Sequence, residues 1–205
     1  MMPSLGPSSY LSLFRRRVHT LNVPPVDRIS TRPRHHDVFI NHRGVDTKRN
    51  VAGLIYHHLA SLRLRPFLDC YSMKPGDSLR HEIGEAILGC KVGVAVFSPR
   101  YCESVSCLRE LAMLLEAEKK MIPIFCDVKP SQLQIVDING RFSGCSDEEL
   151  LKFELALDEA TGILGLSFDS SKGYDGGRLN FISRLTIKYR IIHDLNITAG
   201  TGRCY

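Results

Sequence analysis

The sequence predicts an α/β fold of the flavodoxin-like, doubly wound type, with five parallel strands in one sheet. Beyond His36, short apolar runs alternate with segments of helical spacing, a pattern that requires parallel strands joined by right-handed helical crossovers. One run, Val92–Phe97, is apolar throughout, which is typical of a strand buried on both faces. With 205 residues and 43% hydrophobic content, the chain can bury one core but hardly two.

The first half of the fold is predicted from apolar periodicity and from the residues that interrupt it. Arg43 and Gly44 break an apolar run and therefore mark the loop after a first strand. Pro75 and Gly76 mark a second loop, because both residues favour turns. The predicted elements are, in order, strand Asp37–Asn41, helix Val51–Leu62, strand Arg65–Leu68 and loop Asp69–Asp77.

The second half continues the alternation. Gly89 lies where the next helix should stop, as glycines commonly do. Pro123 interrupts the fourth apolar run, and since proline has no N–H to donate, it indicates either a bulge or an early sheet edge. The predicted elements are helix Leu79–Gly89, strand Val92–Phe97, helix Cys107–Lys119, strand Met121–Cys126, helix Glu148–Ala160, strand Ile163–Phe168, loop Gly173–Gly177 and helix Leu179–Leu195.

Composition divides the chain into a folded domain over residues 35–197, a basic tail over 1–34 and a short tail over 198–205. The formal charge of +5 comes from the first tail, and the remaining domain is nearly neutral. A nucleic-acid footprint is therefore not expected. Residues 1–26 contain no acidic residue, a composition shared by organellar transit peptides and by disordered tails, and both interpretations stay open. The arginines of this tail are Arg15, Arg16, Arg17, Arg28, Arg32 and Arg34.

Cysteine usage and hydropathy indicate a cytoplasmic protein. The seven cysteines form no CxxC pair and no Cys/His spacing suited to zinc, so we expect reduced thiols and no metal site. No stretch approaches the roughly 18 apolar residues of a membrane-spanning helix. A nucleocytoplasmic location, or an organellar one directed by the basic tail, is the alternative.

The predicted strand order, 2-1-3-4-5, has its switch point between the first and third strands, where ligands bind in folds of this type. Arg43 follows the first strand and Glu110 lies on the helix after the third, so both should face this crevice. No GxxxxGK[ST], GxGxxG or GxSxG motif is present, which argues against a P-loop enzyme and a nucleophile-elbow hydrolase. From its helix alone, Glu110 is either an ordinary first-turn glutamate or a carboxylate that binds a sugar hydroxyl or stabilises an oxocarbenium ion.

Three segments in order resemble plant TIR (Toll/interleukin-1 receptor) domains. DVFINHRGVDTKRN is similar to the family's opening strand and Arg-Gly loop, FSPRYCESVSCLREL to the stretch that leads to Cys-Leu-x-Glu-Leu, and IPIFCDVKPSQL to the fourth-strand motif. Together with Gly76 and the Gly140-x-Phe142 pair, these matches cover about residues 36 to 160. The matching positions in the first two segments are Arg43, Gly44, Asp46, Thr47, Ser98, Tyr101, Ser104, Cys107, Leu108, Glu110 and Leu111.

The resemblance implies a signalling protein of plant defence and innate immunity, either a TIR-only protein or a truncated relative, that cleaves the nicotinamide–ribose bond of NAD or NADP when protomers self-associate. NAD or NADP would then be the substrate, with no resident cofactor. Glu110 matches the family's catalytic glutamate. The nucleotide would bind beside His42, Arg43, Gly44 and Ser106, and the mobile loop that gates the site would contain Lys74, Pro75 and Gly76.

Departures from the family pattern support an alternative function. Ser106 replaces the family's usual tryptophan, and Val45 replaces the acidic residue after Arg-Gly. Gly53-Leu54 occupies the place of a Ser-His pair associated with TIR-to-TIR packing. A chain with these changes could act without catalysis, as an adaptor or decoy that binds other TIR-domain proteins.

Overall fold

The computed structural model describes residues 36–47, 51–73, 76, 78–137, 140–171 and 180–189. The predicted tails, the Gly173–Gly177 loop, Lys74 and Pro75 lie outside these residues, and the proposed domain limits stay predictions. The strands are β1 Val38–His42, β2 Pro66–Phe67, β3 Val92–Phe97, β4 Lys120–Cys126 and β5 Leu166–Phe168. The helices are α1 Gly44–Thr47, α2 Gly53–Ser61, α3 Asp69–Ser72, α4 Leu79–Gly89, α5 Val105–Glu116, α6 Asp147–Gly162 and α7 over residues 180–189. Two 3-10 turns cover Tyr101–Glu103 and Pro130–Gln132.

The five strands form one parallel sheet in the order β2-β1-β3-β4-β5, which confirms the predicted fold class. β3 lies at the centre; it pairs with β4 along its whole length on one side and with β1 over Val92–Val96 on the other. All six of its residues are buried, because helices cover both faces of the sheet. The continuous apolar run therefore predicted its position correctly.

The alternation of side chains along the strands separates two hydrophobic layers. Val38 and Ile40 of β1 face the layer covered by α2 and α7, whereas Phe39 faces the layer covered by α4, α5 and α6. In the second layer, Gly93 of β3 lets α5 approach the sheet, since a Cβ there would lie 2.9 Å from Leu114 Cδ2. This close approach positions α5, the helix that carries Glu110.

Pro123 occupies an edge position within β4. It pairs with Ala95 in unbroken one-to-one register, so the predicted bulge is absent. β5 joins the sheet only from Ile124, which pairs with Leu166. At Pro123 the strand thus has β3 as its described neighbour on one side only, which is where a residue without a backbone donor is tolerated.

Several predicted boundaries differ from the structure: β5 begins at Leu166 and not at Ile163, and α5 ends at Glu116 and not at Lys119. Two further differences have local reasons. The segment predicted as a loop from Asp69 begins with the single-turn helix α3, whose first turn is supported by a 3.0 Å hydrogen bond from Leu68 N–H to Ser72 Oγ. The helix predicted from Cys107 begins two residues earlier. Ser104 is its N-cap, and its hydroxyl oxygen accepts a hydrogen bond from Cys107 N–H at 3.3 Å.

Candidate active site

A cavity of about 200 Å³ opens at the carboxyl ends of β1 and β3, the switch point of the sheet. Its walls come from the loop after β1, from the start of α3, from α4 and from the first turns of α5. The prediction that this topology brings Arg43 and Glu110 together is confirmed. The lining residues with polar groups are His42, Arg43, Gly44, Asp69, Ser104, Ser106 and Glu110, and the apolar ones include Phe39, Phe67 and Ile83.

Glu110 is the carboxylate at the base of this cavity, on the second turn of α5. Its neighbours Leu108 and Leu111 are fully buried against the sheet and fix the helix, which directs the half-buried Glu110 side chain into the cavity. Burial raises the pKa of Glu110 to about 7, an effect that a hydrogen bond from Asn41 opposes and the nearby Asp69 carboxylate reinforces. The group therefore changes its charge close to neutral pH.

Asn41 binds this carboxylate directly. It lies in β1 and is completely buried, and its Nδ2 donates to Glu110 Oε2 at 2.9 Å and to the Cys107 carbonyl oxygen at 3.2 Å. From the sequence alone, Asn41 is predicted to end the first strand, and no role is assigned to it. The available signal was a polar residue inside an apolar strand, because a buried amide requires hydrogen-bond partners.

Cys107 ties the first turn of α5 to the end of β1. Besides accepting the hydrogen bond from Asn41, it donates its thiol to the His42 carbonyl oxygen at 3.3 Å. Burial raises the pKa of the Cys107 thiol to about 12, so it stays protonated and serves as a structural donor. The orientation of α5 relative to β1 is thus held by side-chain bonds as well as by packing.

Arg43 supplies the positive group at the cavity. Its side chain is half-buried, and its Nε is buried without a hydrogen-bond partner among the residues that the structure describes. A buried donor that lacks a partner costs free energy, and an anionic ligand in the cavity would satisfy it. Next to it, a Cβ added at Gly44 would meet no atom within 4 Å, which leaves the backbone open to a ligand.

Asp46 fastens the loop after β3 to the loop after β1. Its Oδ2 accepts a hydrogen bond from Ser98 Oγ at 2.8 Å, and its Oδ1 accepts one from Arg100 Nε at 2.9 Å. Because these two loops form opposite sides of the switch point, the carboxylate fixes the position of the segment that carries Arg43. From the sequence alone, Asp46 is only one of the positions that match the family's Arg-Gly loop.

The remaining predicted site residues differ in how deeply they are buried. His42 is buried beneath the cavity, whereas Ser106 is exposed at its rim. Of the predicted gating loop, the structure describes Gly76, which is exposed and has a φ of 96°, a conformation that favours glycine. Asp69 and Leu79, on either side of that segment, line the cavity, but the gating role itself stays a prediction.

No helix in the described part of the chain is long and apolar enough to cross a membrane. The same residues contain no group of three or more His, Cys, Asp or Glu side chains arranged to hold a metal ion.

The fold and cavity define an open α/β domain with a candidate ligand site at its switch point, lined by the carboxylates of Glu110 and Asp69 and by the guanidinium of Arg43. The TIR domain family model matches residues 38–153, and the chain belongs to that family. The TIR domains in the structure of the activated Roq1 resistosome directly recognizing the pathogen effector XopQ have a TM-score of 0.63 and 28% identity, over 75% of this chain and 99% of that one.

Plant proteins are among its relatives. The chain is 52% identical over 138 residues to the Brachypodium distachyon protein named "Probable 2' cyclic ADP-D-ribose synthase BdTIR", covering 67% of this chain and 62% of that one. It is 30% identical over 169 residues to Arabidopsis thaliana "Disease resistance protein RPS4", covering 77% of this chain and 13% of that one. The chain therefore spans less than two thirds of the length of these relatives.

Proposed function

We propose that this protein cleaves the nicotinamide–ribose bond of NAD or NADP and thereby produces an ADP-ribose signal in plant immunity. The observation that carries the proposal is Glu110, a half-buried carboxylate in a cavity that is also lined by Arg43, whose Nε is buried without a hydrogen-bond partner among the described residues. A relative that is 52% identical is named as a cyclic ADP-ribose synthase. ADP-ribose is the part of NAD that remains when nicotinamide leaves.

The chemistry requires charge stabilisation more than proton transfer. The bond between ribose C1′ and the pyridinium nitrogen breaks, and its electron pair leaves with nicotinamide, which becomes neutral. Positive charge develops on the ribose as an oxocarbenium-like transition state, and the ionised carboxylate of Glu110 stabilises it. A hydroxyl group or water then bonds to C1′ and gives up its proton. Arg43 would bind the diphosphate, which guanidinium groups recognise well.

The acidity of Glu110 gives this proposal a pH signature. The ionised form stabilises positive charge, and the pKa of Glu110 is raised to about 7 by burial. Cleavage should therefore fall about tenfold per pH unit below neutrality and reach a plateau above about pH 8. The near-neutral pH of the cytoplasm lies in the upper part of this pH range, and we propose that the protein is located there.

The second candidate function is that of a non-catalytic adaptor or decoy that binds other TIR domains. It is favoured by Ser106, a small, exposed residue that lines the cavity at the position of the family's usual tryptophan. Self-association is part of both proposals, and the TIR domains of the Roq1 resistosome are an assembled example in the family.

The deciding experiment measures nicotinamide release from NAD and from NADP by the purified protein, tethered into oligomers. Glu110→Ala should lower the rate at least about 100-fold. Glu116→Ala is the matched control, since Glu116 lies on the same helix but pairs with Lys152 away from the cavity. Equal rates for wild type and Glu110→Ala would overturn the catalytic role, and immune signalling that survives Glu110→Ala would favour the adaptor.

A further inference from the structure

We propose that Tyr101 and Asn41 are positioning residues that act in series, Tyr101 on Asn41 and Asn41 on Glu110, to hold the Glu110 carboxyl group ionised and aimed into the cavity. The kinetic consequence of this arrangement rests on the proposed function, whereas the arrangement itself can be tested without any substrate. Neither residue opens into the cavity, so both act through Glu110.

The orientation of the Asn41 amide follows from its neighbours. Its Nδ2 lies 2.9 Å from Glu110 Oε2 and 3.2 Å from the Cys107 carbonyl oxygen, and both of those atoms accept hydrogen bonds. The NH₂ group must therefore face them, and the amide oxygen must face the other way. There it accepts a hydrogen bond from the Tyr101 hydroxyl. Each of the three polar positions of Asn41 thus has a partner of the required kind.

Tyr101 is a permanent donor in this chain of hydrogen bonds. It is completely buried, and burial holds the pKa of its hydroxyl well above the ordinary value, so the proton is retained at every physiological pH. Its ring is fixed edge-on against Phe97 of the central strand, with 4.8 Å between ring centroids. Tyr101 therefore opposes a rotation of the Asn41 amide that would turn its oxygen toward Glu110.

The direction of the Asn41 hydrogen bond matters because an NH₂ group can only donate. It stabilises the ionised carboxylate of Glu110 and gives no equivalent support to a carboxyl proton. The other groups that face Glu110 act differently: Asp69 from α3 disfavours its charge, the Cys107 thiol stays neutral, and Arg43 lies across the same cavity. Asn41 thus directly opposes the effect of burial on the charge of Glu110.

The experiment compares wild type with Asn41→Val, which removes the amide, and Tyr101→Phe, which removes one hydroxyl and keeps the ring. The carboxyl carbon of Glu110 is titrated by ¹³C NMR in protein labelled at glutamate, and the rate of nicotinamide release is followed from pH 5.5 to 9.5. In Asn41→Val the Glu110 midpoint and the acidic limb of the rate profile should both move up by about one to two pH units. Tyr101→Phe should move both in the same direction by less.

A merely structural role predicts a different result. Ile55→Val, which loosens the packing of α2 in the other hydrophobic layer, should lower stability and leave the Glu110 midpoint where it is. Should Asn41→Val fail to fold, Tyr101→Phe decides. An unchanged Glu110 midpoint in folded Tyr101→Phe would overturn the proposal. If wild type releases no nicotinamide, the proposed function fails, yet the NMR titration still decides whether Asn41 and Tyr101 control Glu110.

Discussion

Replacing Glu110 by glutamine should abolish activity and stabilise the protein at the same time. Glutamine is a neutral isostere of the protonated side chain, and its Oε1 can still accept the hydrogen bond from Asn41. In the wild type, burial raises the pKa of Glu110 from 4.5 to about 7. The folded chain therefore binds a proton more tightly than the unfolded chain does, and the free energy of unfolding decreases as the pH rises through this window.

The magnitude follows from the two pKa values. Keeping the ionised carboxylate in the folded protein costs about 3 kcal/mol above pH 7, and the solvent-exposed part of the side chain reduces this to about 2 kcal/mol. Glu110→Gln should recover that amount at pH 8. At pH 5, where the folded wild type is already protonated, the gain should be less than about 1 kcal/mol.

Urea unfolding at pH 5 and pH 8 measures this gain, together with nicotinamide release at pH 8. Glu85→Gln is the matched control, because it removes an exposed carboxylate from α4 and should leave the unfolding free energy nearly unchanged at both pH values. If Glu110→Gln is no more stable than wild type at pH 8, the carboxyl group is not held in a desolvated environment, and the reasoning about its charge is refuted.

Three further variants test the framework of the site by urea unfolding. Gly165→Ala should cost about 1 to 3 kcal/mol, since its Cβ would lie 2.4 Å from the Phe125 ring and 2.8 Å from the Pro123 carbonyl oxygen; a wild-type midpoint would contradict this packing. Burial raises the pKa of Asp37, but hydrogen bonds from neighbouring cations more than offset this and lower it to about 2, so Asp37→Asn should cost about 1 to 2 kcal/mol at pH 7 and progressively less below about pH 4. A deficit that does not change with pH would rule out this ionic contribution. Ser104→Ala should cost about 1 kcal/mol, and Ser104→Asp should retain the stability because aspartate is an equivalent N-cap; equal losses in the two variants would argue against capping.

The fold class was predictable because its signals are local. The apolar run of β3, the helical spacing after it and the Arg43-Gly44 break each lie within a few consecutive residues. Strand order then followed from general rules of parallel sheets, and it brought Arg43 and Glu110 to one crevice without any contact being known. Helix α3 was not predicted, because four residues are too few to show a helical period.

The chemistry around Glu110 was only partly predictable. Its position could be inferred, but its pKa is raised by burial and lowered by the hydrogen bond from Asn41, which joins residues 69 positions apart. No local pattern records such a contact. The role of Asp46 was missed for the same reason, since its partners Ser98 and Arg100 follow a different strand.

The hydrogen bonds of Asn41 join residues that are far apart in the sequence, and this separation also determines when the site forms during folding. Asn41 meets Glu110 and Cys107 only after β3 has paired beside β1 and α5 has docked on the sheet, so the contacts close late and require most of the domain. A nascent or partly unfolded chain has no enclosed carboxylate and no cavity. Under the proposed function, an incompletely folded copy would therefore be inactive, and complete folding would be a condition for activity.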